Sequence, residues 1–151
     1  MADDRLNKSS KALGGRASFF VGLSRALVSY RAQIVQVRVD GEDFYEGPMV
    51  STAIANGQFF GGGMHFARDA RIDDGVFHIV TQTKAGPKEV AKIRDLYSGK
   101  IADWDSVRIR TGSVVEATSE EEVLLDIDGE QPGRLDAKFE LVKEGVRLIG
   151  L

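Results

Sequence analysis

The sequence predicts a mainly β fold, a sandwich or barrel of short antiparallel strands with one helix ahead of them and one inserted among them. Three observations point there. Seventeen glycines against three prolines in 151 residues favour strands joined by tight turns over a helical bundle. Short runs alternate apolar and polar residues, the period of a half-buried strand. In the last third of the chain such runs recur about every ten residues with Gly or acidic turns between them, the spacing of a sandwich or barrel.

Taken in order, residues 1 to 8 are polar and form a loose N-terminus, and residues 9 to 151 make a single domain. From 9 to 30, Leu13, Ala17, Phe20, Leu23, Leu27 and Tyr30 fall at helical spacing, while Gly14 and Gly15 interrupt the first turns. After Arg31 the period becomes two: Val35, Val37 and Val39 alternate with Gln36 and Arg38, and Asp40-Gly41 makes a turn. Residues 45–55 form a second strand and 76–81 another. One helix then interrupts: Pro87 suits its first turn, Val90, Ile93, Leu96 and Tyr97 share a face, and Gly99 ends it. Strands follow at 107–110, 113–118, 123–128, 137–142 and 146–149.

A chain of this length buries about two-thirds of its unfolded surface in one core. The net charge of −3 offers nothing to a nucleic acid. Its distribution is uneven: residues 5–38 are mostly basic and 116–130 acidic. A basic helix face could touch anionic headgroups, although a solvated face explains it more simply. Zero cysteines exclude disulfides and thiolate metal sites. No apolar run reaches the length of a membrane span and no signal-peptide pattern opens the chain, so a cytoplasmic protein is expected.

The stretch from 55 to 77 is the richest in chemistry. Gly61, Gly62 and Gly63 permit positive φ and close approach to the main chain. Asp73-Asp74-Gly75 is ordinary turn chemistry that also sets two carboxylates beside exposed carbonyls, as a hard cation requires. A glycine bulge and a hairpin turn with solvated acids account for the same residues. His65 follows the glycines, and His78, with no second histidine nearby, is expected to be a packed or edge residue. Asp-Gly-Glu occurs twice, at Asp40–Glu42 and at Asp128–Glu130. The first is a turn. In the second, Asp126 and Asp128 share a strand face, and clustered carboxylates raise one another's pKa towards the range of a general base. Strand-to-turn junctions hold such acids anyway, so both readings stand. Phosphate-binding loops, dinucleotide fingerprints, H-E-x-x-H and G-x-S-x-G are all missing, which leaves the chain without a nucleotide site of its own.

The order of these motifs resembles the C-terminal domain of the diacylglycerol kinase and sphingosine kinase-like lipid kinases, in particular the soluble bacterial members. The matching residues are Asn56-Gly57, the Gly61-Gly62-Gly63-Met64 run, the segment from Ala67 through Asp73, Asp74 and Gly75 to Val76, and Asp128-Gly129-Glu130. The likeness covers most of residues 8–150 and implies a β-sandwich with an N-terminal helix and one inserted helix. It implies phosphorylation of a lipid hydroxyl by ATP, with a lipid substrate and a place in phospholipid metabolism. It also implies a structural Mg2+ held by the Asp74 carboxylate and the main-chain carbonyls of Arg71 and Val76, and Glu130 as proton acceptor with Asp128 beside it. Oxygens at about 2.1 Å satisfy Mg2+, and one carboxylate suffices when carbonyls and waters complete the octahedron. The resemblance further implies that the sandwich interior offers an apolar cleft for acyl chains.

Two departures stand out. Arg68 occupies a position where the family usually has proline, so the loop after the glycines is shaped differently. The family's nucleotide-binding N-terminal domain, with its G-G-D-G-T signature, is also missing. The resemblance therefore implies an excised or truncated domain that does not turn over ATP alone and needs an N-terminal kinase domain as partner. The alternative is a non-catalytic β-sandwich module that binds a lipid or a protein. Family dimer contacts and exposed strand edges make a homodimer a third expectation, with transient membrane contact a fourth.

Overall fold

The computed structural model describes residues 31–146; the segments read at 1–8 and 9–30 and nearly all of the strand at 146–149 lie outside them. The described residues divide between two compact units, 31 and 85–93 in one and 32–84 with 94–146 in the other. In the first unit, helix α1 (Pro87–Ala91) starts with proline in its opening turn, where a missing N–H costs nothing, and carries Glu89 at its positive end.

The second unit is built of strands. Sheet one has the order β2 (Glu42–Met49), β1 (Gln33–Val39), β8 (Val114–Thr118), β9 (Ala137–Glu140), and sheet two the order β3 (Ser51–Ala55), β6 (Phe77–Gln82), β7 (Val107–Gly112). Every pairing in them is antiparallel. A two-stranded ribbon, β4 (Phe59–Phe60) with β5 (Met64–His65), stands apart from both. The core joins the two sheets. Val35, Val37 and Val39 of β1, Met49 of β2 and Val115 and Ala117 of β8 cluster with Ile79 of β6, with Ile54 and Phe139 packed at the margin. Alternation along β1 delivers its three valines to this one face, which is the arrangement of a β-sandwich.

Three expectations need correction. Residues 45–55 are two strands: β2 pairs with β1, and after Val50 the chain crosses to the other sheet, where β3 pairs with β6. Pro48 is accommodated because β2 lies at an edge. The inserted helix is likewise two pieces, α1 and α2 (Asp95–Ser98), with a 3-10 turn η1 (Lys100–Asp103) after them. Between them the hydrogen bonds tighten to three-residue spacing, Lys92 to Glu89, Ile93 to Val90 and Tyr97 to Arg94, so the four-residue ladder does not continue. Gly99 does end α2, at φ 75°. Residues 123–128 form no ladder; they fold against 130–135 through isolated bridges, Leu124 to Arg134 and Ile127 to Glu130.

Candidate functional site

The ribbon β4–β5 closes on Gly61, Gly62 and Gly63, all at positive φ (52°, 78° and 91°), so the triplet makes the turn that its composition suggests. Around Gly62 and Gly63 no atom lies within 4 Å of a would-be Cβ, so backbone conformation rather than a close neighbour demands glycine there. Phe59 stacks on His65 at 4.5 Å, and Phe60 meets Phe66 edge-on at 5.2 Å. The His65 Nε2 atom is buried without a partner. Beyond it, Phe66 and Ala67 donate main-chain hydrogen bonds to the Gln58 carbonyl. Arg68, standing at the proline position, reaches Asp103 of η1 with Nη1 3.1 and 3.2 Å from the two carboxylate oxygens. A side-chain ion pair thus pins this loop.

The loop leads to the Asp73-Asp74-Gly75 turn, where the two acids part company. Asp73 pairs through both oxygens with the Arg71 guanidinium at 3.1 and 3.2 Å. Asp74 turns inward: Oδ1 accepts the Val76 N–H at 3.1 Å, and Oδ2 lies 2.9 Å from Nε2 of the buried His78. The His78 contact, and after it the Val76 N–H, hold the Asp74 carboxyl below the usual carboxylate range, and it is ionised at neutral pH. Gly75 bends the chain at φ 71°, and the Lys143 side chain passes 3.5 Å from where its Cβ would be.

These residues fit a cation bound through one carboxylate. Asp74 is negative, retains lone pairs on both oxygens, and has a side chain 24% exposed. Among the described residues no group of three or more His, Asp or Glu side chains is arranged for a metal, so any cation here would depend on Asp74 with main-chain and water oxygens. Beside the turn the Arg71 guanidinium is engaged by Asp73, and the Lys143 side chain passes Gly75.

Asp128 and Glu130 lie elsewhere. Asp128 and Gly129 have φ of 53° and 92°, and Ile127 and Glu130 exchange main-chain hydrogen bonds of 2.8 and 3.0 Å, making a two-residue hairpin turn of the I′ kind. Asp126 accepts the Gly129 N–H at 2.9 Å. Its carboxylate is thus engaged in the turn, and Asp128 and Glu130 both stand exposed beside it. Among the described residues no hydrogen bond or ion pair joins this turn to the Asp74 turn. Sequence reasoning missed the partnership of Asp74 with His78, although a spacing of four across a turn into a strand was its visible sign.

A family model described as the YegS C-terminal NAD kinase beta sandwich-like domain matches residues 1–150. The chain belongs to this family. Among curated relatives, a protein of Alcanivorax borkumensis named "Probable lipid kinase YegS-like" is 26% identical over 143 residues, 91% of this chain and 46% of that one. A diacylglycerol kinase of Staphylococcus carnosus is 29% identical over 115 residues, 76% of this chain and 37% of the relative. The crystal structure of a diacylglycerol kinase from Bacillus anthracis superposes with a TM-score of 0.62 at 22% identity, over 90% of this chain and 46% of that one, a likeness of fold. The YegS-family chain thus spans less than half the length of each of these relatives. No helix among its described residues is long and apolar enough to cross a membrane.

Proposed function

We propose that this chain is the lipid-binding, base-supplying part of an ATP-dependent lipid kinase of the diacylglycerol kinase type, working with a nucleotide-binding domain on the other side of the reaction. The supporting observation is the exposed hairpin turn that presents Glu130. Main-chain hydrogen bonds and the Asp126 carboxylate fix the turn, leaving Glu130 free to meet a substrate hydroxyl. In this reading Glu130 takes the proton of the lipid hydroxyl as its oxygen attacks the γ-phosphorus of ATP and ADP departs, and Asp128 keeps the field around it negative. Asp74, with the carbonyls of Arg71 and Val76, would hold a Mg2+ ion, which would supply local positive charge and stiffen the turn.

The test joins the chain to the nucleotide-binding domain of a kinase relative and measures transfer of labelled phosphate from ATP to diacylglycerol in mixed micelles. Glu130→Gln is expected to lower kcat by about a hundredfold or more, the scale of a lost general base, with the fold intact. Activity that survives the substitution removes Glu130 from the role. Retention of lipid by the joined protein without any phosphorylation would instead favour a non-catalytic lipid-binding module.

A further inference from the structure

Of the two acids in the Asp73-Asp74-Gly75 turn, one is held by a flexible surface arginine and the other by a buried imidazole on a central strand. We infer that His78 is a positioning residue for Asp74, fixing its carboxylate in the orientation in which it receives a divalent cation. This rests on the reading of Asp74 as a cation ligand given above.

The asymmetry between the two acids carries the inference. The side chains of Asp73 and its partner Arg71 are 66% and 70% exposed, so their pairing is a surface contact that exchanges with water. Those of Asp74 and His78 are 24% and 10% exposed. His78 is opposite Ala55 of β3 and Thr111 of β7, so ladders on both sides immobilise its backbone. Asp74 lies in irregular chain, where its carboxylate would otherwise rotate. One oxygen is taken by the Val76 N–H and the other by the imidazole, and the two contacts together block that rotation. With Nε2 carrying its hydrogen the imidazole donates, and lone pairs on Asp74 still face outward. Partners behind a ligand in this way commonly govern metal affinity about ten- to a hundredfold.

The test is calorimetric titration of MgCl2 into the intact chain, its His78→Leu and His78→Gln variants, and Asp74→Asn, with thermal melts of each. Wild type should bind Mg2+, Asp74→Asn should lose binding, and His78→Leu should weaken it by about tenfold or more. His78→Gln, which keeps an N–H donor, should recover much of that loss. Equal affinity in wild type and His78→Leu, with a lowered melting temperature, would assign His78 to stability and overturn the inference alone. No Mg2+ binding by wild type would overturn the cation reading and this inference with it. Should His78→Leu fail to fold, nitrogen-15 spectra of the wild-type imidazole decide: a hydrogen on Nε2 whose resonance shifts with Mg2+ supports positioning, and a bare Nε2 refutes it.

Discussion

Asp40 shows how far a single side chain reaches in this fold. Its Oδ1 accepts the N–H groups of both Ser113 and Val114, at 2.9 and 2.8 Å, while its own N–H donates to the Val114 carbonyl at 2.8 Å. The turn after β1 is thereby clamped to the crossing from β7 to β8. Asp-Gly marks the turn in the sequence, but the clamp spans 73 positions and leaves no local trace. Asp40→Ala should cost about 1.5 to 3 kcal/mol in urea unfolding, the range for hydrogen bonds to a charged acceptor. Gly112 lies under the same clamp: a Cβ there would come within 2.2 Å of Val39 Cγ1 and 2.7 Å of an Asp40 carboxylate oxygen. Gly112→Ala should therefore destabilise by about 1 to 3 kcal/mol through overpacking. An unchanged unfolding midpoint would show that β1 moves aside freely.

At the scale of elements, legibility followed how local the determinants were. The alternation of Val35, Val37 and Val39, the Asp40-Gly41 turn and the Gly99 stop rest on adjacent residues, and all were visible. The crossing at Val50 was not, because apolar and β-branched residues continue through it and only the pairing partners change. Asp74 stood out by residue type, whereas its inward turn depends on a histidine held by two neighbouring strands. Residues 123–128 read as a strand by their spacing from the neighbouring runs; yet Leu124 and Ile127 are 60% and 46% exposed and isolated bridges are the segment's β pairing. Val123 and Leu135 at the base of this arm pack on the core, so opening without unfolding the sandwich is expected of its outer part, 124–134. Gly129, at φ 92° with open space around it, pays only a backbone penalty on acquiring a side chain. Gly129→Ala should add about 1 to 2 kcal/mol of local strain, speeding amide exchange at Ile127 and Glu130 while the global midpoint barely moves. A cooperative loss of the whole fold would show that the arm is integral to the core.

For the molecule as a whole, the Asp74 turn couples stability to pH. The His78 contact first, and the Val76 N–H next, lower the Asp74 pKa in the folded state, and the Arg71 hydrogen bond lowers that of Asp73. Unfolded, both carboxyls return to an ordinary value of about 3.9. A carboxyl depressed by folding adds stability that is fully present above its unfolded pKa. That stability is lost as pH falls from there through the folded value, because the unfolded chain takes up the proton first. The folded protein should therefore lose stability on acidification below about pH 4, with the Asp74 share removed by Asp74→Asn. Urea midpoints measured from pH 7 down to pH 3 test this: the wild-type curve should fall more steeply than that of Asp74→Asn, while Asp73→Asn, whose surface pair is open to solvent, should stay close to wild type. Parallel curves for wild type and Asp74→Asn would mean that the inward-turned carboxylate contributes nothing to holding the turn against the strand.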